Sequence, residues 1–261
     1  MNTGYTPMLQ QYQEIKHKYP NEILFFRLGD FYEMFFKDAE LASRELEITL
    51  TSRDGGQGLR VPMCGVPFHA ADNYIAKLIS KGYKVAICEQ VEDPKLAKGI
   101  VRREVIKIVT PGTVVSDVFL NDTSNNYLVV IYEEEDRLCL AAADISTGEC
   151  TWVPFSGANR LPSACDKLYS LMPAEIVLAS NIENVVLLKD FIAAKIPRCI
   201  YTALTIDDFN LLDQLPRQHF DNNDLPSNKC DYTAVGYLLY YLHTTVKENL
   251  SHINRLIRYD S

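Results

Sequence analysis

The residues with the clearest potential for chemistry lie in one short segment, 25–36, which reads FFRLGDFYEMFF. Successive side chains of a β-strand alternate between its two faces, so Phe31, Glu33 and Phe35 share one face. The opposite face is also bulky and apolar, with Tyr32, Met34 and Phe36. At least one face must therefore lie in a core. Because a buried, unpaired carboxylate costs several kcal/mol, we expect Glu33 either to be exposed or to have a partner.

Two interpretations of this segment are open. In the first, which the pattern alone favours, the rings pack in the core and Glu33 forms an ion pair. In the second, the ring of Phe31 is exposed and wedges into a stack of bases, while Glu33 meets the edge of a base. Such a wedge unstacks and kinks the duplex at a cost of a few kcal/mol. A mispaired step is already weakened and costs less to open, so the difference would supply specificity.

Signatures of catalysis are absent from the sequence, which has neither a Gly-x-x-x-x-Gly-Lys-Ser/Thr phosphate loop nor a Gly-x-Ser-x-Gly elbow. Asp144 lies in a β-rich run where ribonuclease-H-like nucleases keep a metal-binding carboxylate. Two-metal catalysis needs several convergent carboxylates, and the spacing of Glu149 and Glu175 does not demand convergence. We interpret Asp144 as a cap on the turn at residues 146–148. We therefore expect no metal site, no cofactor and no enzymatic activity in this chain.

Composition is that of a soluble globular protein, with 47% hydrophobic and 23% charged residues. The seven cysteines form no Cys-x-x-Cys pair, which favours reduced thiols in a cytosolic protein. No apolar run approaches ~18 residues and no secretory signal is visible, so we expect no membrane association and a cytoplasmic location.

The net charge of −8 is unevenly distributed. Residues 1–112 hold 15 Lys and Arg against 14 Asp and Glu, which leaves +1, and residues 113–261 hold −9. A nearly neutral first half permits DNA binding without demanding it, because phosphate contacts need local basic surface rather than a basic average.

Apolar periodicity and turn residues predict the elements that position these side chains. The first half is a mixed α/β domain with about five strands and three helices. In chain order it has a helix between Pro7 and Pro20, strands at 23–28 and 31–35 around the turn Gly29–Asp30, a helix at 37–46, a strand at 48–51, a glycine-rich hairpin loop at 52–60, a helix at 70–81, and strands at 83–88 and 102–109.

The second half predicts three antiparallel strands followed by alternating helix and strand, an order that favours a ribonuclease-H-like arrangement. The strands are expected at 127–132, 138–145 and 150–155. They precede a helix at 162–171, a strand at 175–179, a helix at 185–194, a strand at 198–201 and an apolar helix at 232–250. Turn signals place one domain at 1–112, a linker at 113–123 and a second domain at 124–261. The apolar residues at 256–259 have no obvious partner, so we suspect a fragment.

Several segments, in order, resemble the MutS family of DNA mismatch-recognition proteins. Residues 29–35, GDFYEMF, closely resemble its Gly-Asp-Phe-Tyr-Glu motif, and residues 62–70, PMCGVPFHA, its Pro-Met-x-Gly-x-Pro-Tyr-His-Ala segment. One departure is Phe68, which stands where the family motif has Tyr. Further matches are TPMLQQY at 6–12, VAICEQ at 85–90, VTPGT at 109–113 and DISTG at 144–148.

The resemblance implies a mismatch-binding domain, then a ribonuclease-H-like connector domain and the start of the next domain. By this resemblance Phe31 stacks on the mispaired base and Glu33 hydrogen-bonds it. Phosphates and desolvation both disfavour a charged Glu33, so we expect it to be protonated in the complex. Weaker candidates for DNA contact are Arg53, Leu28, Met63 and His69, and then Lys81, Lys84, Arg102 and Arg103, for which a solvated surface position is the default expectation.

The resemblance also implies partners and cofactors. The expected ligand is double-stranded DNA with mispairs or small loops, and the full-length protein would be a nucleoid-associated homodimer that signals to a MutL-type partner. ATP and Mg²⁺ would belong to domains outside this chain. Two alternatives stay open: a family member specialised for recombination intermediates, which would typically lack Phe-x-Glu, and a nuclease that uses Asp144.

Overall fold

The computed structural model describes residues 4–92, 99–114, 125–179, 182–183, 185–247 and 250–260. The chain divides into two compact units, 1–110 and 111–261. The bounds predicted for the two domains stay a prediction. Of the predicted linker, residues 115–123 lie outside the described residues.

The first unit contains a six-stranded mixed sheet in the order β3-β4-β2-β1-β5-β6. Strand β1 pairs antiparallel with β2 and parallel with β5. A short 3-10 helix at Phe68–Ala70 follows β4. The elements are α1 Pro7–Lys18, β1 Ile23–Leu28, β2 Phe31–Phe35, α2 Phe36–Leu46, β3 Thr51–Gly56, β4 Leu59–Pro67, α3 Ala71–Ser80, β5 Val85–Gln90 and β6 Arg103–Val109.

Helix α1 covers one face of this sheet, and α2 and α3 contact strands from the other. Under α1, a cluster that contains Leu9, Tyr12, Leu24, Phe26 and Phe35 is fully buried. Directly paired residues of neighbouring strands share a face, and Phe26 pairs with Glu33. The predicted alternation along β2 is therefore confirmed, and it places Glu33 on the same face as the α1 cluster.

The second unit has a sheet in the order β11-β10-β7-β8-β9-β12. Strands β7, β8 and β9 are antiparallel, and β10 and β11 add in parallel beyond β7, which confirms the predicted ribonuclease-H-like arrangement. The elements are β7 Tyr127–Glu134, β8 Arg137–Asp144, β9 Glu149–Ser156, α4 Arg160–Leu171, β10 Glu175–Ala179, α5 Val185–Lys195, β11 Ile200–Leu204, α6 Phe209–His219, α7 Lys229–Thr245 and β12 Ile257–Arg258.

Helices cover both faces of the second sheet. One face of β7 and β8 packs with residues of α6 and α7, and the other packs with residues of α4 and α5. This double coverage explains why β8 is buried along nearly its whole length, from Leu138 to Asp144. In the described part of the chain, no helix is both long and apolar enough to cross a membrane.

The structure departs from the sequence-based expectations about elements at five places. The hairpin predicted at 52–60 is present, but its loop is shorter than expected, because β3 and β4 extend to a two-residue turn at Gln57–Gly58. The predicted strand at 48–51 enters β3 only with its last residue. Helix α6 was not predicted, because the internal Pro216 argues against a helix although the segment is amphipathic. The last helix ends at Thr245, and the chain end is partnered because β12 pairs with β9.

Phe36 also departs from the predicted alternation. It begins α2 with a φ of 54°, a left-handed conformation that is uncommon for a bulky residue. This reversal sends its ring to the α1 side, where it contacts Tyr5 and Tyr12.

Candidate functional site

The site begins at the turn between β1 and β2. Gly29 has a φ of +57°, in the left-handed region that glycine enters without a side-chain penalty. The turn reverses the chain within two residues and places Phe31 at the first position of β2. The residues opposite Phe31 in the flanking strands are Leu28 and Pro67, both only half-buried.

The ring of Phe31 is exposed, whereas its neighbours along β2 are not. Phe31 keeps 46% of its surface accessible, while Phe35 on the same face is fully buried. The two residues differ because the packed cluster under α1 includes Phe35 and does not include Phe31. The expectation of core packing therefore holds for Phe35. The exposed ring that the wedge interpretation requires is present at Phe31.

Glu33, which is largely buried, forms an ion pair with Arg53. Its carboxylate Oε2 lies 2.6 Å from Nη1 of Arg53, and the two side chains are 18% and 42% exposed. Arg53 lies in β3, not in the loop that was expected, and it pairs in register with Val61. Because β4 separates β2 from β3, the ion pair spans this intervening strand.

Gly65 leaves room for that carboxylate. It lies directly opposite Glu33 on β4. A Cβ atom at this position would meet Cγ of Glu33 at 3.4 Å and the carbonyl oxygen of Tyr32 at 3.3 Å, so a side chain there would crowd both residues.

The weaker candidates fall into two groups. Leu28 and Met63 are half-buried and pack against the cluster under α1. His69 is exposed in the 3-10 helix, two residues beyond the position opposite Phe31, and its ring lies 5.9 Å from that of Phe68. The sheet thus brings Leu28, Phe31, Glu33, Arg53 and Met63 to one face, and His69 follows at the end of β4.

Among the further basic candidates, Arg103 was wrongly placed on the surface. It is only 7% exposed, and its donors go to Arg27, Gln11 and Val101 of the protein itself. Burial lowers the pKa of this guanidinium. Arg102 is exposed and donates to Glu104.

The remaining two lysines differ in exposure. Lys81 is exposed and donates to the backbone carbonyl of Glu45, while Lys84 is half-buried.

The sequence did not single out Arg27, which lies beside the site. Its guanidinium is directed at Phe68, Glu89 and the Gly29 carbonyl. The available signal was one charged residue in an otherwise apolar strand, ILFFRL.

The cysteines have no chemical role that the structure supports. None forms a disulfide, and five of the seven are buried. Burial raises the pKa of the Cys64 and Cys88 thiols to about 12, so they stay protonated and unreactive at neutral pH.

Asp144 serves the turn that follows β8. It is fully buried, and Oδ1 accepts hydrogen bonds from the amide and the hydroxyl of Ser146, while Oδ2 accepts from the amide of Asn126. This geometry agrees with the capping role expected of it. In the part of the chain that the structure describes, no group of three His, Cys, Asp or Glu residues could hold a metal ion.

Comparison with known proteins gives two matches that together cover most of the chain. A sequence profile described as MutS domain I matches residues 6–118, and one described as MutS domain II matches residues 126–254. These are the DNA-binding and connector domains of that family and not its ATPase domain.

Curated relatives agree with these matches. The DNA mismatch repair protein MutS of Ruminiclostridium cellulolyticum is 50% identical over 97% of this chain and 29% of the relative. The protein of the same name from Desulforamulus reducens is 49% identical over 97% of this chain and 30% of the relative. That of Brevibacillus brevis is 47% identical over 98% and 28%. The chain therefore spans slightly less than a third of the length of these relatives.

Proposed function

This chain belongs to the MutS family, of which it contains domains I and II, and we propose that its first unit probes double-stranded DNA for mispairs and small loops. In this proposal Phe31 stacks on the mispaired base and Glu33 hydrogen-bonds that base. The observation that carries the proposal is the exposed ring of Phe31 at a strand end, on the same face as a carboxylate two residues away.

The exposed ring supplies the energetic basis for discrimination. Water contact with a half-exposed phenylalanine is unfavourable, so its transfer into a base stack recovers free energy that a buried ring could not offer. Opening a matched step costs a few kcal/mol, and a mispaired step costs less. Insertion of the ring is therefore favourable at a mispaired step, whereas at a matched step the cost of opening offsets the gain.

The ion pair between Glu33 and Arg53 can be exchanged for contacts with DNA. Its partner Arg53 is almost half exposed, and exposed pairs contribute only about 0–1 kcal/mol. A DNA phosphate can take over the guanidinium, since arginine forks suit phosphate oxygens. Glu33 is then free to accept from a base or, once protonated, to donate to it.

The rest of the proposal concerns the full-length protein. We propose that it acts in the cytoplasm at the nucleoid, as a homodimer that signals to a MutL-type partner. ATP and Mg²⁺ would bind in domains outside this chain. Residues 113–261 have a net charge of −9. Because this charge repels DNA phosphates, the second unit is better suited to connecting domains and contacting proteins than to broad contact with DNA.

The test is a titration of matched and G·T-mispaired duplexes with the full-length protein at fixed salt. Phe31→Ala should weaken mispair binding ~10–100-fold, since the wedge contributes on the order of 1.4–2.8 kcal/mol, and should leave matched binding nearly unchanged. Phe209→Ala is the matched control, because Phe209 is also exposed but lies in the second unit. Equal affinities of wild type and Phe31→Ala for the mispaired duplex would contradict the proposal.

Glu33→Gln separates the two hydrogen-bonding roles of the carboxyl group. Glutamine retains a donor, so unchanged mispair affinity supports a protonated Glu33 in the complex. A large loss that does not vary with pH argues against it.

A further inference from the structure

Arg27 lies at the meeting point of four segments of the first unit. It belongs to β1, and its side chain is only 18% exposed. Its Nη1 lies 3.3 Å from Oε1 of Glu89 on β5, and the same oxygen accepts from the hydroxyl of Tyr32 on β2. The guanidinium carbon stands 3.8 Å from the centre of the Phe68 ring, just after β4.

This arrangement fixes the turn that precedes the exposed ring. Nε of Arg27 donates to the carbonyl of Gly29 at 2.5 Å. The amide of Phe68 donates to the carbonyl of Asp30 at 2.9 Å. Both carbonyl groups of the two-residue turn are therefore held, one by Arg27 and the other by the residue whose ring Arg27 covers. Phe31 is the next residue of the chain.

The guanidinium is held by the ring of Phe68 and the carboxylate of Glu89, and the backbone of Arg27 is held by Arg103. A cation over an aromatic face is attracted by the ring, and more strongly where water is excluded. The carboxylate of Glu89 neutralises the charge, and the carbonyl of Arg27 accepts from Nε of the buried Arg103 at 2.6 Å. Phe68 needs only its ring for this contact, so the absence of the tyrosine hydroxyl leaves the stacking intact.

A wedge that opens a base step needs a rigid support. A turn with a left-handed glycine is soft by itself, and a loose ring would fold back on the protein instead of entering the stack. We propose that Arg27 is a positioning residue for mispair recognition, which holds the Gly29–Asp30 turn and the Phe68 ring so that Phe31 stays directed outward. The inference rests on the proposed function, because it assigns Arg27 a role that acts through Phe31.

The experiment compares variants of the full-length protein on matched and G·T-mispaired duplexes. Arg27→Lys keeps the charge but loses the planar fork and most of the stacking, so it should weaken mispair binding ~10-fold and leave matched binding within ~2-fold. Phe68→Leu removes only the stacking and should give a smaller loss, ~3-fold, in the same direction. Arg44→Lys is the control, an exposed arginine of α2 that pairs with Glu45.

A spectroscopic readout separates positioning from a general loss of stability. A 2-aminopurine placed beside the mispair brightens when its step is unstacked. At saturating protein, Arg27→Lys should reduce this increase by about half or more while the thermal midpoint of the protein stays within a few degrees of wild type. Full brightness with Arg27→Lys would overturn the inference, as would an equal loss of binding to both duplexes, which is the result expected of a phosphate contact.

The double variant distinguishes this inference from the proposed function. If Arg27 acts through Phe31, adding Arg27→Lys to Phe31→Ala should cause no further loss of mispair binding. Additive losses would overturn the positioning role and leave the wedge intact. If Phe31→Ala alone retains full discrimination, the proposed function itself fails, and the inference fails with it.

Discussion

Each unit contains an arginine–carboxylate pair, and the two pairs differ in geometry and in exposure. In the second unit, both carboxylate oxygens of Asp231 accept from Arg137, at 2.9 and 2.5 Å, and the aspartate side chain is 1% exposed. In the first unit, Glu33 and Arg53 share one contact and are 18% and 42% exposed. The buried bidentate pair is structural, because removing one partner leaves the other as an unpaired buried charge. The exposed pair can be exchanged for a ligand at little cost.

The same contrast exists between two phenylalanines of one strand. Phe31 and Phe35 share a face of β2, yet Phe35 is fully buried and Phe31 is nearly half exposed. A buried ring stabilises the folded protein through its contacts. An exposed ring makes few such contacts, so it can still gain free energy by packing against a ligand. Matched substitutions at buried and exposed positions test this contrast. We expect those at buried positions to lower stability and those at exposed positions to lower DNA binding.

The largest effect is expected at Phe35. Phe35→Ala should lower the free energy of unfolding by about 3–5 kcal/mol, because it leaves a cavity in the cluster under α1. Phe31→Ala should lower it by less than about 1 kcal/mol. Urea unfolding of the two variants measures both, and equal destabilisation would show that the two rings do not differ as described.

The next largest effect is expected at Asp231. Asp231→Ala should destabilise the protein by about 3 kcal/mol, the lower end for a buried pair since Arg137 is 27% exposed. Glu33→Ala should cost at most about 1 kcal/mol. Asp213→Ala serves as a control within the second unit, because its pair with Arg217 is exposed on both sides. A loss at Glu33 as large as that at Asp231 would contradict the comparison.

A smaller effect is expected from Arg53 on the salt dependence of binding. If its guanidinium moves from Glu33 to a phosphate, Arg53→Met should lower the slope of log affinity against log salt by about one, equally for matched and mispaired duplexes. Arg217→Met, which removes an exposed arginine of the second unit, should leave the slope unchanged. An unaltered slope in Arg53→Met would show that this guanidinium does not contact phosphate.

The smallest effect is expected from acidification of the second unit. Burial lowers the pKa of His219 and of His243 below the ordinary value of 6.5. The unfolded chain therefore binds protons first, so the stability these residues contribute is present above about pH 6.5 and is lost as the pH falls toward their folded values. Thermal unfolding at pH 7.5 and 5.5 should show this loss in wild type and a smaller one in His243→Asn. Equal losses in both proteins would exclude His243 as a source.

Local patterns predicted most elements well. The apolar spacing after Pro7 gave α1, and β10 has the predicted bounds, because burial of one face or of a whole strand leaves a clear period in the sequence. The hairpin of β3 and β4 was predicted with too long a loop, because its polar, glycine-rich strands lack that period. Helix α6 was missed for a different reason. Asp208 caps it and its apolar residues have helical spacing, but an internal proline such as Pro216 is atypical of a helix.

The pairing of Glu33 was predicted, but its partner was not. The exposed or paired state of Glu33 followed from the cost of burying a charge, and its partner is Arg53. Nothing in the spacing identified that partner, since the pair crosses β4. The expected surface position of Arg103 was wrong. Two adjacent arginines are typical of a solvated surface, whereas the donors of Arg103 are satisfied by acceptors inside the fold.

The sequence by itself determined which side chains share a face, because strand alternation and helical period are properties of the local backbone. It thereby placed Phe31, Glu33 and Phe35 together. Only the tertiary structure decided that α1 covers Phe35 and not Phe31, that Arg53 reaches Glu33, and that Arg27 joins the turn to Phe68 and Glu89. These contacts depend on the strand order β3-β4-β2-β1-β5-β6, which brings together residues far apart in the chain, and no local period encodes that order.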